Sequence, residues 1–220
     1  GMGVALNQLN LPTGVAVDAA GNLFVADRDN FRVMRWAPDG LTASVEAGAT
    51  GAGTGTSQVG RPTKVFLDDR GFMYVVESQN HRIQRFAIGT NAPGEVIAGV
   101  SGVPGSGATQ LRNPEGVYVD SRGNMYVADA GNNRIQYYPV GSLVGQTIIG
   151  DTVSGFTERR LFSPRAVTID AAGNIYVADG LNHRIQRFPP IGSPGSNIGT
   201  TVAGGFGAGA NANQLNEPND

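Results

Sequence analysis

The chain repeats itself along its whole length. Pro12-Thr-Gly-Val-Ala-Val-Asp18, Gly21-Asn22-Leu-Phe-Val-Ala-Asp27 and Asn30-Phe-Arg-Val-Met-Arg-Trp36 make up a first copy. The same frame returns from Pro62 to Phe86, from Pro114 to Tyr138 and from Pro164 to Phe188. Asp68, Gly71, Glu77, Asn80 and Arg82 keep step in the second copy, as do Asp120, Asp129, Asn132 and Arg134 in the third and Asp170, Asp179, Asn182 and Arg184 in the fourth. A fifth prolyl start stands at Pro218, so that successive prolines are 50, 52, 50 and 54 residues apart. A period of this size describes a modular array whose units bury their faces against one another, not a domain with one conventional core.

Each repeat reads as four short strands. Val15-Ala-Val17 is the first, stopped by Asp18-Ala-Ala-Gly21, which has Asp and Gly where a type I turn places them. Leu23-Phe-Val-Ala26 is apolar at every position and so predicts a second strand covered on both faces. Asp27 to Asn30 reads as the next turn, and Phe31 to Trp36 as an alternating third strand. Ser44 to Ala47 is a short fourth strand, with counterparts at Glu95 to Ala98, Gln146 to Ile149 and Thr200 to Ala203. The glycine-rich stretches Gly48 to Gly60 and Gly204 to Ala212 read as flexible connectors. No stretch of useful length has helical periodicity. The expectation is an all-β chain of four four-stranded antiparallel propeller blades at about 12–48, 62–99, 114–150 and 164–204. Residues 205–220 would then lead towards a further blade, and 1–220 would form one propeller region.

Gly-Asn-x-Tyr-Val-Ala-Asp-x-x-Asn-x-Arg-Ile-Gln, as in Gly123 to Gln136 and Gly173 to Gln186, resembles the NHL repeat. The resemblance spans essentially the whole chain and implies a β-propeller, commonly of about six blades. It leaves function open, because that fold hosts scaffolds, RNA binders and lyases alike. Blade two departs most, with Val76-Glu77 in place of Ala-Asp and Phe72 in place of Asn, which predicts a looser turn without a change of fold.

Five residues apart in every blade stand a carboxylate and an arginine: Asp27 and Arg32, Glu77 and Arg82, Asp129 and Arg134, Asp179 and Arg184. An active site needs one asymmetric constellation, so four copies point to structural ion pairs tying the second strand to the third or to the next blade. His81 and His183 share a slot held elsewhere by Phe31 and Asn133, which favours turn packing over metal ligation. Trp36, Phe86, Tyr138 and Phe188 mark one slot too, read as core between blades and not as a stacking ladder for sugars or bases. The side chains that differ while the frame stays fixed follow each proline. Thr13, Thr63, Lys64, Glu115 and Arg165 fall there, and a first strand lining a central channel would gather them at one mouth as a ligand-binding surface of mixed charge.

Enzymes that the NHL resemblance brings in hold a metal through His and acidic side chains at such a channel; here Glu115 alone offers itself. The frame implies no catalytic residue, no metal and no cofactor. No nucleophile elbow, phosphate loop or HExxH pattern occurs. The runs Gly51 to Gly55 and Gly204 to Gly207 precede no helix and so cannot cradle phosphate as a helix N-terminus does. Arg159-Arg160 is at most a small anion site.

Charge and composition narrow the partners. Sixteen basic residues against eighteen acidic ones leave −2, so no global field draws the chain to nucleic acid or to anionic lipid. Lys64 is the sole lysine, and arginine's planar fork suits fixed hydrogen-bond geometry. No cysteine is present, which removes disulfides and cysteine nucleophiles. No apolar run approaches the roughly 18 residues of a membrane helix. The sequence therefore reads as a non-catalytic binding or assembly scaffold for a protein or glycan partner. A metal-dependent lyase or lactonase of the same fold is one alternative. The other is an RNA-binding NHL domain using Lys64, Arg165, Arg61 and Arg112. Scarce lysine and Asn/Gly-rich connectors lean towards a secreted or surface protein. Gly1-Met2-Gly3 reads as a cloning remnant ahead of an excised piece. Leu6 to Pro12 matches Ala212 to Pro218, so both ends stop at the same phase of the repeat. Two apolar blade faces should then be open, covered either by copies of this chain, most simply two, or by further blades of a longer one.

Overall fold

A computed structural model of the chain describes residues 3–219; the Gly1-Met2 start and Asp220 lie outside them. Sixteen strands follow in chain order. Blade one holds β1 (Pro12–Val17), β2 (Leu23–Asp27), β3 (Arg32–Trp36) and β4 (Ala43–Ala47). Blade two holds β5 (Pro62–Leu67), β6 (Phe72–Glu77), β7 (Arg82–Ala87) and β8 (Glu95–Gly99). Blade three is β9 (Gly116–Val119), β10 (Met125–Asp129), β11 (Arg134–Tyr138) and β12 (Gln146–Gly150). Blade four is β13 (Pro164–Ile169), β14 (Ile175–Asp179), β15 (Arg184–Phe188) and β16 (Thr200–Gly204). Every blade is a four-stranded antiparallel meander in sequence order, the all-β architecture of a β-propeller. The chain divides between Pro104 and Gly105 into two compact units of two blades each. No helix among the described residues is long and apolar enough to cross a membrane.

Local chemistry explains the strand ends. Asp18 closes the β1–β2 turn: its Oδ1 accepts the Ala20 and Asn22 amides, and Gly21 N–H donates to its carbonyl at 3.0 Å. Asn22, Asn124 and Asn174 each add a side-chain donor to the aspartate of their own turn. Blade two lacks that asparagine, and Asp68 takes Arg70 Nε and the Tyr74 hydroxyl instead. The turn after the second strand is a single turn of 3-10 helix in blades one, three and four (Arg28–Asn30, Ala130–Asn132, Gly180–Asn182) and a plain turn in blade two. Phe31 is not the first residue of the third strand, as the alternation predicts. It stands in the left-handed region at φ 56°, with His81, Asn133 and His183 alike, because the chain must reverse there to bring the arginine opposite the carboxylate.

Within each unit the two blades share one core. In unit one Phe24, Ala26, Val33 and Ala47 of blade one meet Val65, Met73, Val75 and Phe86 of blade two, with Val59 of the intervening connector between them. In unit two Tyr126, Ala128, Ile135 and Ile149 meet Val167, Ile175, Val177 and Phe188, and Leu161 takes the place of Val59. The first strands approach closely. A Cβ at Gly14 would stand 2.9 Å from the Cα of Lys64, and one at Gly116 would stand 2.5 Å from the Arg165 carbonyl oxygen. Glycine at those slots is what lets β1 lie against β5, and β9 against β13.

Phe86, Tyr138 and Phe188 are buried, and Trp36 is half-buried. Tyr138 alone brings a hydroxyl into this slot, and that oxygen has no hydrogen-bond partner. Its burial pushes the phenol pKa up. Tyr138→Phe, the residue that blades two and four already use, should therefore stabilise the chain by about 1 kcal/mol, since an unsatisfied buried polar group is removed. Chemical denaturation checks this; a loss of similar size would mean that the hydroxyl is satisfied.

Candidate functional site

The recurrent carboxylate ends the second strand and faces its arginine across the sheet, Asp27 opposite Arg32, Glu77 opposite Arg82, Asp129 opposite Arg134 and Asp179 opposite Arg184. All four carboxylates are fully buried, and the pairs close at 2.7, 3.1, 2.8 and 2.8 Å. In blade three Asp129 accepts from Arg134 Nε, from Asn132 Nδ2 and from the backbone N–H of Arg112. Arg134 donates its other four N–H groups to the carbonyls of Ser106, Gly107 and Gln110 and to the Thr147 hydroxyl. Asn132 gives a second N–H to the Gly105 carbonyl. Burial pushes the carboxyls of Glu77, Asp129 and Asp179 up from their ordinary value against these donors. The node therefore contributes mainly geometry, and a large net free energy is not expected of such a pair.

That geometry reaches backwards along the chain. Arg32 takes the carbonyls of Val4, Ala5 and Gln8, and Arg82 those of Thr54, Gly55 and Gln58. Arg184 takes those of Phe156, Thr157 and Arg160. The carboxylates accept the amides of Asn10, Gly60 and Phe162 at 2.7 Å each. Each blade thus grips the connector that leads into it, and the flexible connector expected from glycine content is corrected by this grip. Glycine serves close packing there. The side chains of Gln8, Gln58, Gln110 and Gln214 fold onto Gly3, Gly53, Gly105 and Gly209, where a Cβ would displace the glutamine amide. A Gly-x4-Gln spacing at this period is the sequence signal for the connector. The slot of Phe31 and His183 also acts on connectors: Asn133 Oδ1 accepts from Ser163 N–H, and His183 Nδ1 from Glu217 N–H.

The post-proline residues lie at the starts of the first strands. Thr13 donates its hydroxyl to the Pro62 carbonyl at 3.1 Å, beside Thr63, which is buried, and Lys64, which is half-buried. In unit two Glu115 adjoins the close approach of Gly116 to Arg165. The Arg165 guanidinium holds Glu217 and Asn219, both at 2.5 Å. Thr13 and Arg165 thus already serve blade and connector contacts. Arg61 pairs with Asp29 at 3.3 Å. Among the described residues no group of three His, Asp or Glu side chains is placed to hold a metal ion.

Four antiparallel blades, each locked by a carboxylate, an asparagine and an arginine, define a β-propeller repeat protein. The family model described as NHL repeat matches residues 9–35, 111–138 and 163–188, and the chain is an NHL-repeat protein. No match was found among curated proteins. The matched segments leave out blade two, where Glu77 and Phe72 replace the usual Asp and Asn.

Arg134→Ala should cost about 3–5 kcal/mol, because it strands a buried carboxylate and frees a connector. Arg134→Lys should recover little of it, since an ammonium has three donors and no fork. Removing the half-exposed Arg85, which pairs with Glu95, should cost under about 1 kcal/mol. Urea denaturation of the three variants checks the order, and equal losses at Arg134 and Arg85 would contradict it.

Proposed function

We propose that the chain is a non-catalytic binding and assembly scaffold that recognises a protein partner at the starts of its first strands and associates through its blade faces. One observation carries this reading. The carboxylate, asparagine and arginine that recur in every blade are spent on one another and on connector backbone, whereas Thr13, Thr63, Lys64, Glu115 and Arg165 give the strand-one starts a different charge and size in each blade. A carboxylate that already accepts from an arginine, an asparagine and a backbone amide is poorly placed to act as a base or a metal ligand. The burial of Phe86, Tyr138 and Phe188 takes the repeated aromatic slot out of reach of stacking sugars and bases, and a net charge of −2 gives no general pull on RNA, which together support a protein partner.

A random-peptide display library panned on the immobilised chain should return binders. Their affinity should fall at least about tenfold, roughly 1.4 kcal/mol, in the triple variant Lys64→Ala, Glu115→Ala, Arg165→Ala. The triple also loses the half-exposed Arg165–Glu217 pair, so its stability should fall by only about 1 kcal/mol, with the fold retained by circular dichroism. Binders indifferent to the triple would place recognition elsewhere. Tight binding of an RNA oligomer or a glycan with no peptide binders would overturn the protein-partner reading.

A further inference from the structure

Among the described residues, the leading face of blade one and the trailing face of blade four are exposed, and each has the chemistry of a face that is covered within a unit. At the leading side of blade one, Val15 is 62% and Leu23 37% exposed. Their counterparts Val65 and Met73, or Val167 and Ile175, are buried in the shared cores of the two units. At the trailing side of blade four, Ala203 is exposed and Ile185 and Leu215 are half-buried. The matching Ala47, Val33 and Val59 are buried against blade two, and Ile149, Ile135 and Leu161 against blade four. A cleft of about 500 Å³ opens there, bordered by Val202, Ala203, Phe206 and Leu215.

The connector beside this cleft is already folded. Gly209 N–H donates to the Leu215 carbonyl and Gln214 N–H to that of Asn211, as Gly105 does to Leu111 and Gln110 to Gly107. Its carbonyls at Ala210, Asn211 and Gln214 occupy the slots that Arg32 holds in Val4, Ala5 and Gln8. Asn213-Gln214-Leu215-Asn216 is identical to Asn7-Gln8-Leu9-Asn10, whereas the internal connectors read Ser57 to Gly60, Thr109 to Arg112 and Arg159 to Phe162. The last connector is thus built to the pattern that blade one accepts.

We propose that the trailing face of blade four, with residues 209–218, is a docking site for blade one of a second copy of this chain. In the docked state the 209–218 connector replaces residues 3–12 on Asp27, Asn30 and Arg32 of that copy. The exchange leaves the number of node hydrogen bonds unchanged, so it is close to neutral in polar terms. Apolar burial of Val15 and Leu23 against Ile185, Ala203 and Leu215 drives it. The contact is head-to-tail, so it either closes into a ring or propagates, depending on the rotation. This inference rests on the assembly half of the proposed function and is independent of the recognition half.

Val15→Glu blocks the leading face and Ala203→Glu the trailing face, each at an exposed position, so both variants should keep the parent's circular dichroism and unfolding temperature. By size-exclusion chromatography with light scattering, the parent should run as a multiple of 22.8 kDa, each variant alone as a monomer, and their equimolar mixture as a 1:1 dimer. With isotope labels on one partner at a time, the Asn216 amide of the Val15→Glu copy should gain hydrogen-exchange protection on mixing. The Asn10 amide of the Ala203→Glu copy should lose it. A parent that stays monomeric at its highest soluble concentration, or a variant that dimerises by itself, overturns the proposal. A mixed dimer without the switch in protection overturns the connector exchange. Peptide binding measured on the monomeric variants tests the recognition half separately.

Discussion

Everything else in these blades depends on a buried carboxylate that accepts one arginine, one asparagine and one backbone amide. Taking such a charge out of water is tolerable only when its partners are in place, so the node forms whole or not at all. Its arginine lies at the start of the third strand, yet the carbonyls it binds lie 24 to 28 residues earlier, ahead of the first. Folding one blade therefore orders the connector before it, and the physical module is a connector plus four strands. Glu77 shows how much variation the node accepts: its longer side chain still reaches Arg82, Asn80 and the Gly60 amide, while the neighbouring turn loses its 3-10 form.

Connector order in turn sets the cores. Val59 and Leu161 are carried by connectors and are fully buried between blades, so pinning the backbone places the residue that fills each junction. The aromatic slot completes the same layer, with the rings of Phe86, Tyr138 and Phe188 lying over Gly94, Gly145 and Gly199. Fixed residues thus build a frame that differs little from blade to blade. Among the side chains that differ, Thr13, Thr63, Lys64, Glu115 and Arg165 gather at strand-one starts, while others, such as the Phe31, His81, Asn133 and His183 slot, stay within turns and connectors.

Much of this was legible in the sequence because its causes are local or periodic. The prolines, the Asp-x-x-Gly turns and the apolar second strands point to four antiparallel four-stranded blades, and the structure has them. The Asp129–Arg134 spacing also points to a cross-strand pair. The backward grip was not legible, because its acceptors are backbone carbonyls, which every residue possesses and no residue type advertises. Phe31 misled for a related reason: an aromatic in an alternating run reads as strand, whereas the reversal that aligns Arg32 with Asp27 forces a left-handed residue. Arg165 looked like a free charge because its partners, Glu217 and Asn219, lie more than 50 residues ahead in the next connector.

The grip itself is open to direct measurement by amide hydrogen exchange, followed residue by residue by NMR. Gly60, Arg112 and Phe162 belong to glycine-rich or polar connectors outside any strand, where unassisted amides exchange quickly. If buried carboxylates hold them, their exchange should be as slow as that of the central strand amides of Val75, Val127 and Val177. Fast exchange at these three amides, with the strands still protected, would show connectors that are not held by the nodes and would contradict the account.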